Sequence, residues 1–177
     1  MGSWRKTLAR EIGRSSRVAV LGIGNASRGD DAVGVMIARE LLARPAGSGA
    51  RTLVLAAEEA PENFTGAVRA FAPDLVLVLD AAPGEEPPGT ISLIDPRRIA
   101  DDDLSTHRIP LGRLVSYIEK TIGSRVRILG IEPASLEPGR GLSPEASAAV
   151  SAVAEFLEKI LAEKALRSSS ASERKDW

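Results

Sequence analysis

Three side chains in this sequence could together hold a cation or move a proton: Asp31, Asp80 and His107. Asp31 follows a glycine turn, Gly22-Ile23-Gly24-Asn25. Asp80 ends the apolar run Leu75 to Leu79. His107 is the only histidine in the chain and precedes a helical pattern. Two carboxylates and one imidazole suit a borderline divalent cation that keeps open coordination positions. The same groups can carry general acid–base chemistry without a metal. The chain has no cysteine, so disulfides, thiolate ligands and cysteine nucleophiles are excluded.

Each residue also has a plainer reading. Asp31 can cap a helix. Asp80 can start a turn. A lone histidine can be a surface or packing residue. Asp30 reads as structural, accepting backbone N–H groups at the turn. Asp101-Asp102-Asp103 reads as a solvated face. Ser105 and Thr106 adjoin His107, but sequence neighbours rarely form a triad, and no Gly-x-Ser-x-Gly elbow exists. The glycine turn also suggests a dinucleotide loop, yet the third glycine is replaced by Ser27. Asp30 and Asp31 would repel a pyrophosphate from the helix N-terminus, where such a group usually sits.

These residues need a scaffold, and composition describes it. The chain has 177 residues, enough for one ordinary domain with a real core. Hydrophobic residues make up 44% and aromatics only 3%, so the core must be aliphatic. The net charge of −1 gives no global field for nucleic acid. No apolar run approaches the ~18 residues of a membrane helix. The basic N-terminus lacks an apolar signal core, and the expected location is the cytoplasm.

The pattern along the chain reads β-α-β-α-β-β-α-β-α. Strands are expected at Arg17–Gly22, Arg51–Ala56, Leu75–Leu79, Thr90–Ile94 and Arg125–Ile131. Helices are expected at Asp30–Ala43, Ala60–Phe71, Pro110–Thr121 and Ser143–Leu166, the last with Ser at the cap and Pro at its first position. The link from the third to the fourth strand is too short for a helical crossover, so the fourth strand is predicted antiparallel. The fold class is α/β: a three-layer α/β/α sandwich on a mostly parallel five-stranded sheet. Residues 16–166 form one domain, 1–15 a loose polar helix or arm and 167–177 a disordered tail. In such a sheet the first and third strands flank the topological switch, so Asp31 and Asp80 can face one crevice.

Several blocks, in order, resemble the hydrogenase maturation protease family. Gly22-Ile23-Gly24-Asn25 with Gly29-Asp30-Asp31-Ala32-Val33-Gly34 resembles its N-terminal signature. Ala60-Pro61-Glu62-Asn63 is similar to the subgroup acting on formate-hydrogenlyase-type hydrogenases. Leu79-Asp80-Ala81-Ala82 with Pro88-Gly89-Thr90-Ile91, Ser105-Thr106-His107-Arg108-Ile109-Pro110-Leu111, and Leu129-Gly130-Ile131-Glu132-Pro133 resemble later segments. The resemblance spans about Arg17 to Leu161. The chain departs from the family pattern at Ala32, where the family often has glycine, and at the small polar stretch Ala26-Ser27-Arg28.

The resemblance implies an endopeptidase that removes a C-terminal peptide from the large-subunit precursor of a [NiFe] hydrogenase after nickel insertion. It implies that Asp31, Asp80 and His107 recognise nickel supplied in the substrate, with Asp31 and Asp80 also catalytic. No organic cofactor is expected. Gly24 and Asn25 are expected to contact substrate, their backbone N–H groups supporting the peptide or its oxyanion. Two other readings stand beside this one: a non-proteolytic module that only recognises the nickel-loaded subunit, and a Rossmann-like nucleotide binder.

Overall fold

The computed structural model describes residues 3–44, 51–98 and 111–172. Five strands form one sheet in the order β2-β1-β3-β5-β4. They are β1 (Val18–Ile23), β2 (Thr52–Glu58), β3 (Leu75–Ala81), β4 (Ile91–Ile94) and β5 (Arg125–Ile131). β1, β2, β3 and β5 run parallel, and β4 is antiparallel to β5. The antiparallel fourth strand was expected from its short connection. Its partner is β5, so the chain leaving β3 steps over the place that β5 later fills.

Every residue of β1 and β3 is buried. This is the pattern of central parallel strands covered on both faces, and it explains why both read as unbroken apolar runs. Successive side chains of β3 go to opposite faces. Leu75, Leu77 and Leu79 join the core under α1 (Ser3–Arg14), α2 (Val33–Leu42) and α5 (Pro144–Ser172). Val76 and Val78 join the core under α3 (Thr65–Phe71) and α4 (Leu111–Tyr117), which continues as a wider π turn to Ile122.

The N-terminal segment is a helix, as one of its two readings had it, but docked rather than loose. Trp4, Leu8 and Ile12, four residues apart, put one stripe of α1 into the core. Burying Leu8 and Ile12 stabilises the fold by about 1.5–3 kcal/mol each. Trp4 meets Phe156 of α5 edge-on, with ring centroids 5.0 Å apart. Lys164 of α5 donates to the Ser15 carbonyl just past the end of α1. The five charged residues Arg5, Lys6, Arg10, Glu11 and Arg14 make the segment look polar in sequence, but the period of its three apolar residues decides its fate. At the other end α5 runs to Ser172, past the expected end at Leu166. Residues 173–177 lie outside the described residues.

Candidate functional site

The strand order fixes where a site can form. From β1 the chain goes to β2 on one side and later to β3 on the other. The crevice of an α/β sheet opens at that reversal, beyond the carboxyl ends of β1 and β3. The start of α2 is set into it. A Cβ on Gly34 would collide with the carbonyl oxygens of both Ile23 and Leu79, so only glycine lets the helix sit on both strand ends. The 3-10 turn Gly29–Ala32 just before α2 carries Asp30 and Asp31 and touches β3. Asp80 is one residue beyond Leu79. Asp31 and Asp80 thus both stand near the carboxyl ends of β1 and β3, where the strand order reverses. Both are buried, each 2% exposed.

The glycine turn is closed by its own acid. Asn25 donates its backbone N–H to Asp31 Oδ2 at 2.9 Å. Gly24 has φ +136°, and a Cβ there would strike the Asp31 carbonyl oxygen. Gly24 N–H donates to the Glu58 carbonyl at 3.1 Å. Glu58 is presented by a bulge: the β1–β2 register shifts after Gly22, and Glu58 itself has φ 52°. These bonds correct one expectation. The backbone N–H groups of Gly24 and Asn25 are both committed inside the protein, so they do not form an oxyanion hole. The Asn25 side chain accepts from Ser27 N–H through Oδ1 at 2.8 Å, which leaves its NH2 end unpartnered among the described residues. Asp31 does not cap a helix either; its carboxylate reaches back to the turn.

Asp30 is structural, with partners other than those expected. Its carboxylate ignores the turn and crosses to the loop between β5 and α5. It accepts from Ala134 N–H at 2.7 Å, Ser143 N–H at 2.6 Å and the Ser143 hydroxyl at 2.8 Å. Burial pushes its pKa up, but these bonds, with a longer one from Ser135 N–H, outweigh burial and hold it below the ordinary carboxylate value.

Asp80 shares the β3 parity of Val76 and Val78, so its side chain emerges on the α3/α4 face of the sheet. The first residue of α4, Leu111, is buried in the core on that face. His107 stands four residues before Leu111 in sequence and lies outside the described residues, as do Ser105, Thr106 and Asp101-Asp102-Asp103. Among the described residues no three His, Cys, Asp or Glu side chains are grouped to hold a metal.

One acidic residue here escaped the sequence reading. Glu132, just past β5, is 9% exposed. Its Oε1 accepts from Gly84 N–H at 2.9 Å. Its backbone clamps the same loop, donating to the Thr90 carbonyl at 2.9 Å and accepting from Gly89 N–H at 2.8 Å. The signal that marked Asp80, a carboxylate ending an apolar strand, marks Glu132 as well.

Known proteins share this architecture. A family model described as hydrogenase maturation protease matches residues 35–160, a span that includes Asp80 and His107 and begins just beyond Asp31. The hydrogenase 3 maturation protease of Escherichia coli is 36% identical over 115 residues, covering 64% of this chain and 71% of that protein. The crystal structure of a [NiFe] hydrogenase maturation protease, HycI, from Thermococcus kodakarensis has a TM-score of 0.80 at 32% identity, covering 88% of this chain and 98% of that one. The hydrogenase maturating endopeptidase HybD from E. coli has a TM-score of 0.64 at 28% identity, covering 86% and 93%. No described helix is long and apolar enough to cross a membrane.

Proposed function

We propose, given that this chain belongs to the hydrogenase maturation protease family and is a peptidase, that it cuts a C-terminal peptide from a [NiFe] hydrogenase large-subunit precursor once nickel is in place. The observation that supports the reading is that two carboxylates, Asp31 and Asp80, are buried near the ends of β1 and β3, where the strand order switches. Carboxylates at such a strand-end switch suit binding a cation or transferring a proton. Nickel already seated in the precursor supplies the cation as part of the substrate. Asp31, Asp80 and His107 then anchor it, and the scissile bond is presented beside them.

The chemistry is hydrolysis. Water adds to the peptide carbonyl, a C–O bond forms, and the C–N bond breaks. The mature subunit keeps a new carboxylate and the released peptide leaves with a free amine. The proton lost by water must reach that amine, and a site carboxylate is the group that can carry it. Asn25 N–H fixes Oδ2 and with it the orientation of the Asp31 carboxylate. The NH2 of Asn25, and not the backbone of the turn, is the donor we assign to the substrate peptide.

The test compares nickel-loaded and nickel-free precursor, read by intact mass. Shortening of only the loaded form is expected. Unchanged mass in both would leave a recognition module and overturn the protease reading. Equal cleavage of both would remove nickel from the recognition step.

A further inference from the structure

Arg28 is a cation without a counter-ion among the described residues. Its backbone is fixed. Its N–H donates to the Asn25 carbonyl at 3.1 Å, and its own carbonyl accepts from Asp31 N–H at 3.0 Å. The residues on either side are tied to the loop between β5 and α5. Gly139 N–H donates to the Ser27 carbonyl at 2.8 Å, and Gly29 N–H donates to the Arg140 carbonyl at 3.0 Å. Arg28 is therefore held one turn before Asp31, on the segment that carries the candidate site.

Three acids of this frame are turned to other partners. Asp30 is spent on Ala134 and Ser143. Asp31 gives Oδ2 to Asn25 N–H. Glu137, on the loop tied to the turn, pairs with Arg140 at 2.8 Å. The Arg28 side chain is half-buried, and its Nε is shielded from solvent with no hydrogen bond. A shielded donor left unpaired is costly, and an acceptor that reaches it recovers that cost. The guanidinium defines the acceptor. It is always charged, and Nε–H with one Nη–H forms a planar fork that fits the two oxygens of a carboxylate. Arg28 also falls in Ala26-Ser27-Arg28, where the chain departs from the family pattern, so the preference it sets belongs to this chain.

Building on the peptidase reading above, we propose that Arg28 is a specificity-determining residue that binds one carboxylate side chain of the protein substrate. The carboxylate meets the guanidinium at the surface. Rotation of the side chain then brings Nε–H onto it, and the fork closes.

The test uses the full chain and nickel-loaded precursor whose aspartates and glutamates are changed to amides one at a time. With the wild-type chain, one such change should raise KM at least about tenfold and leave kcat within about twofold. Arg28→Gln should show the same rise with unaltered precursor, and the amide change should then add nothing. Arg28→Lys, a charge without the fork, should recover only part of the loss. Urea midpoints of both variants should match wild type. Unchanged KM in Arg28→Gln, a loss confined to kcat, a lowered urea midpoint, or amide changes that add in full to Arg28→Gln each overturn the assignment. Fluorescence anisotropy of labelled precursor gives the same comparisons as Kd, without turnover. A chain whose Kd values couple through Arg28 while the precursor keeps its mass fails as a protease and keeps the Arg28 contact. Shortened precursor with no coupling does the reverse.

Discussion

The Asp30 carboxylate holds Ser143 twice, taking its N–H on Oδ1 at 2.6 Å and its hydroxyl on Oδ2 at 2.8 Å, across 113 residues of chain. Ser143 is also the cap of α5, its Oγ accepting from Ala146 N–H at 3.1 Å. One hydroxyl therefore ties the turn after β1 to the first turn of the longest helix. Asp31 is the next residue, so this bolt also sets where the crevice carboxylate stands. Asp30→Asn keeps the shape but turns an NH2 toward N–H donors. Loss of about 3 kcal/mol is expected, since hydrogen bonds to a charged group contribute about 1.5–3 kcal/mol each. In a chain of this size that lowers the melting temperature by about 6–12 °C. A melting temperature within 2 °C of wild type, roughly the effect of 1 kcal/mol or less, would refute the bolt.

Acid should report the same group. The folded pKa of Asp30 lies below its unfolded value of 3.8. Its contribution is therefore complete above that value and is lost as pH falls through the folded pKa. Urea unfolding between pH 7 and pH 2 should show wild type losing stability below about pH 4. Asp30→Asn should lose less over the same range. Parallel curves for the two proteins would show that another carboxylate governs the acid limb.

The sequence made β1 and β3 legible because central parallel strands are apolar on both faces, and Ser143-Pro144 announced the start of α5 chemically. The switch between β1 and β3 followed from strand order, and Asp31 and Asp80 are both buried near those strand ends. Other features had no local signal. Ser143 as the partner of Asp30 is a contact between distant segments, which no window of sequence contains. The loss of the Gly24 and Asn25 N–H donors depends on a bulge in β2 and on the Glu58 carbonyl. The docking of α1 was readable in the spacing of Trp4, Leu8 and Ile12, but the charges between them dominate a composition-based reading.

Two glycines separate conformational strain from collision. Gly123 has φ +81° with nothing near a prospective Cβ, so Gly123→Ala should cost only the left-handed penalty of about 1–2 kcal/mol. Gly24 adds a direct clash with the Asp31 carbonyl oxygen. Gly24→Ala should cost at least about 3 kcal/mol, strain and overpacking together. It should also slow precursor processing, because Asp31 must shift. Chemical denaturation and a cleavage assay on both variants check this; equal stability losses would mean the turn is looser than its geometry.

The two adjacent aspartates should part company in function. Asp31→Asn keeps an oxygen for Asn25 N–H and should leave the fold intact while removing the charge that faces the crevice. Asp80→Asn does the same from β3, and His107→Gln from the segment before α4. Each should lower processing of nickel-loaded precursor at least about 100-fold, the lower range for loss of a proton-transfer group. Their urea midpoints should stay near wild type, whereas Asp30→Asn loses stability. The profiles of Asp30→Asn and Asp31→Asn are thus opposite, although the residues are neighbours and equally buried. Exposure cannot produce that difference; only the direction of each carboxylate can, Asp30 toward the α5 cap and Asp31 toward the glycine turn. Full processing by Asp31→Asn and Asp80→Asn would remove both carboxylates from the reaction.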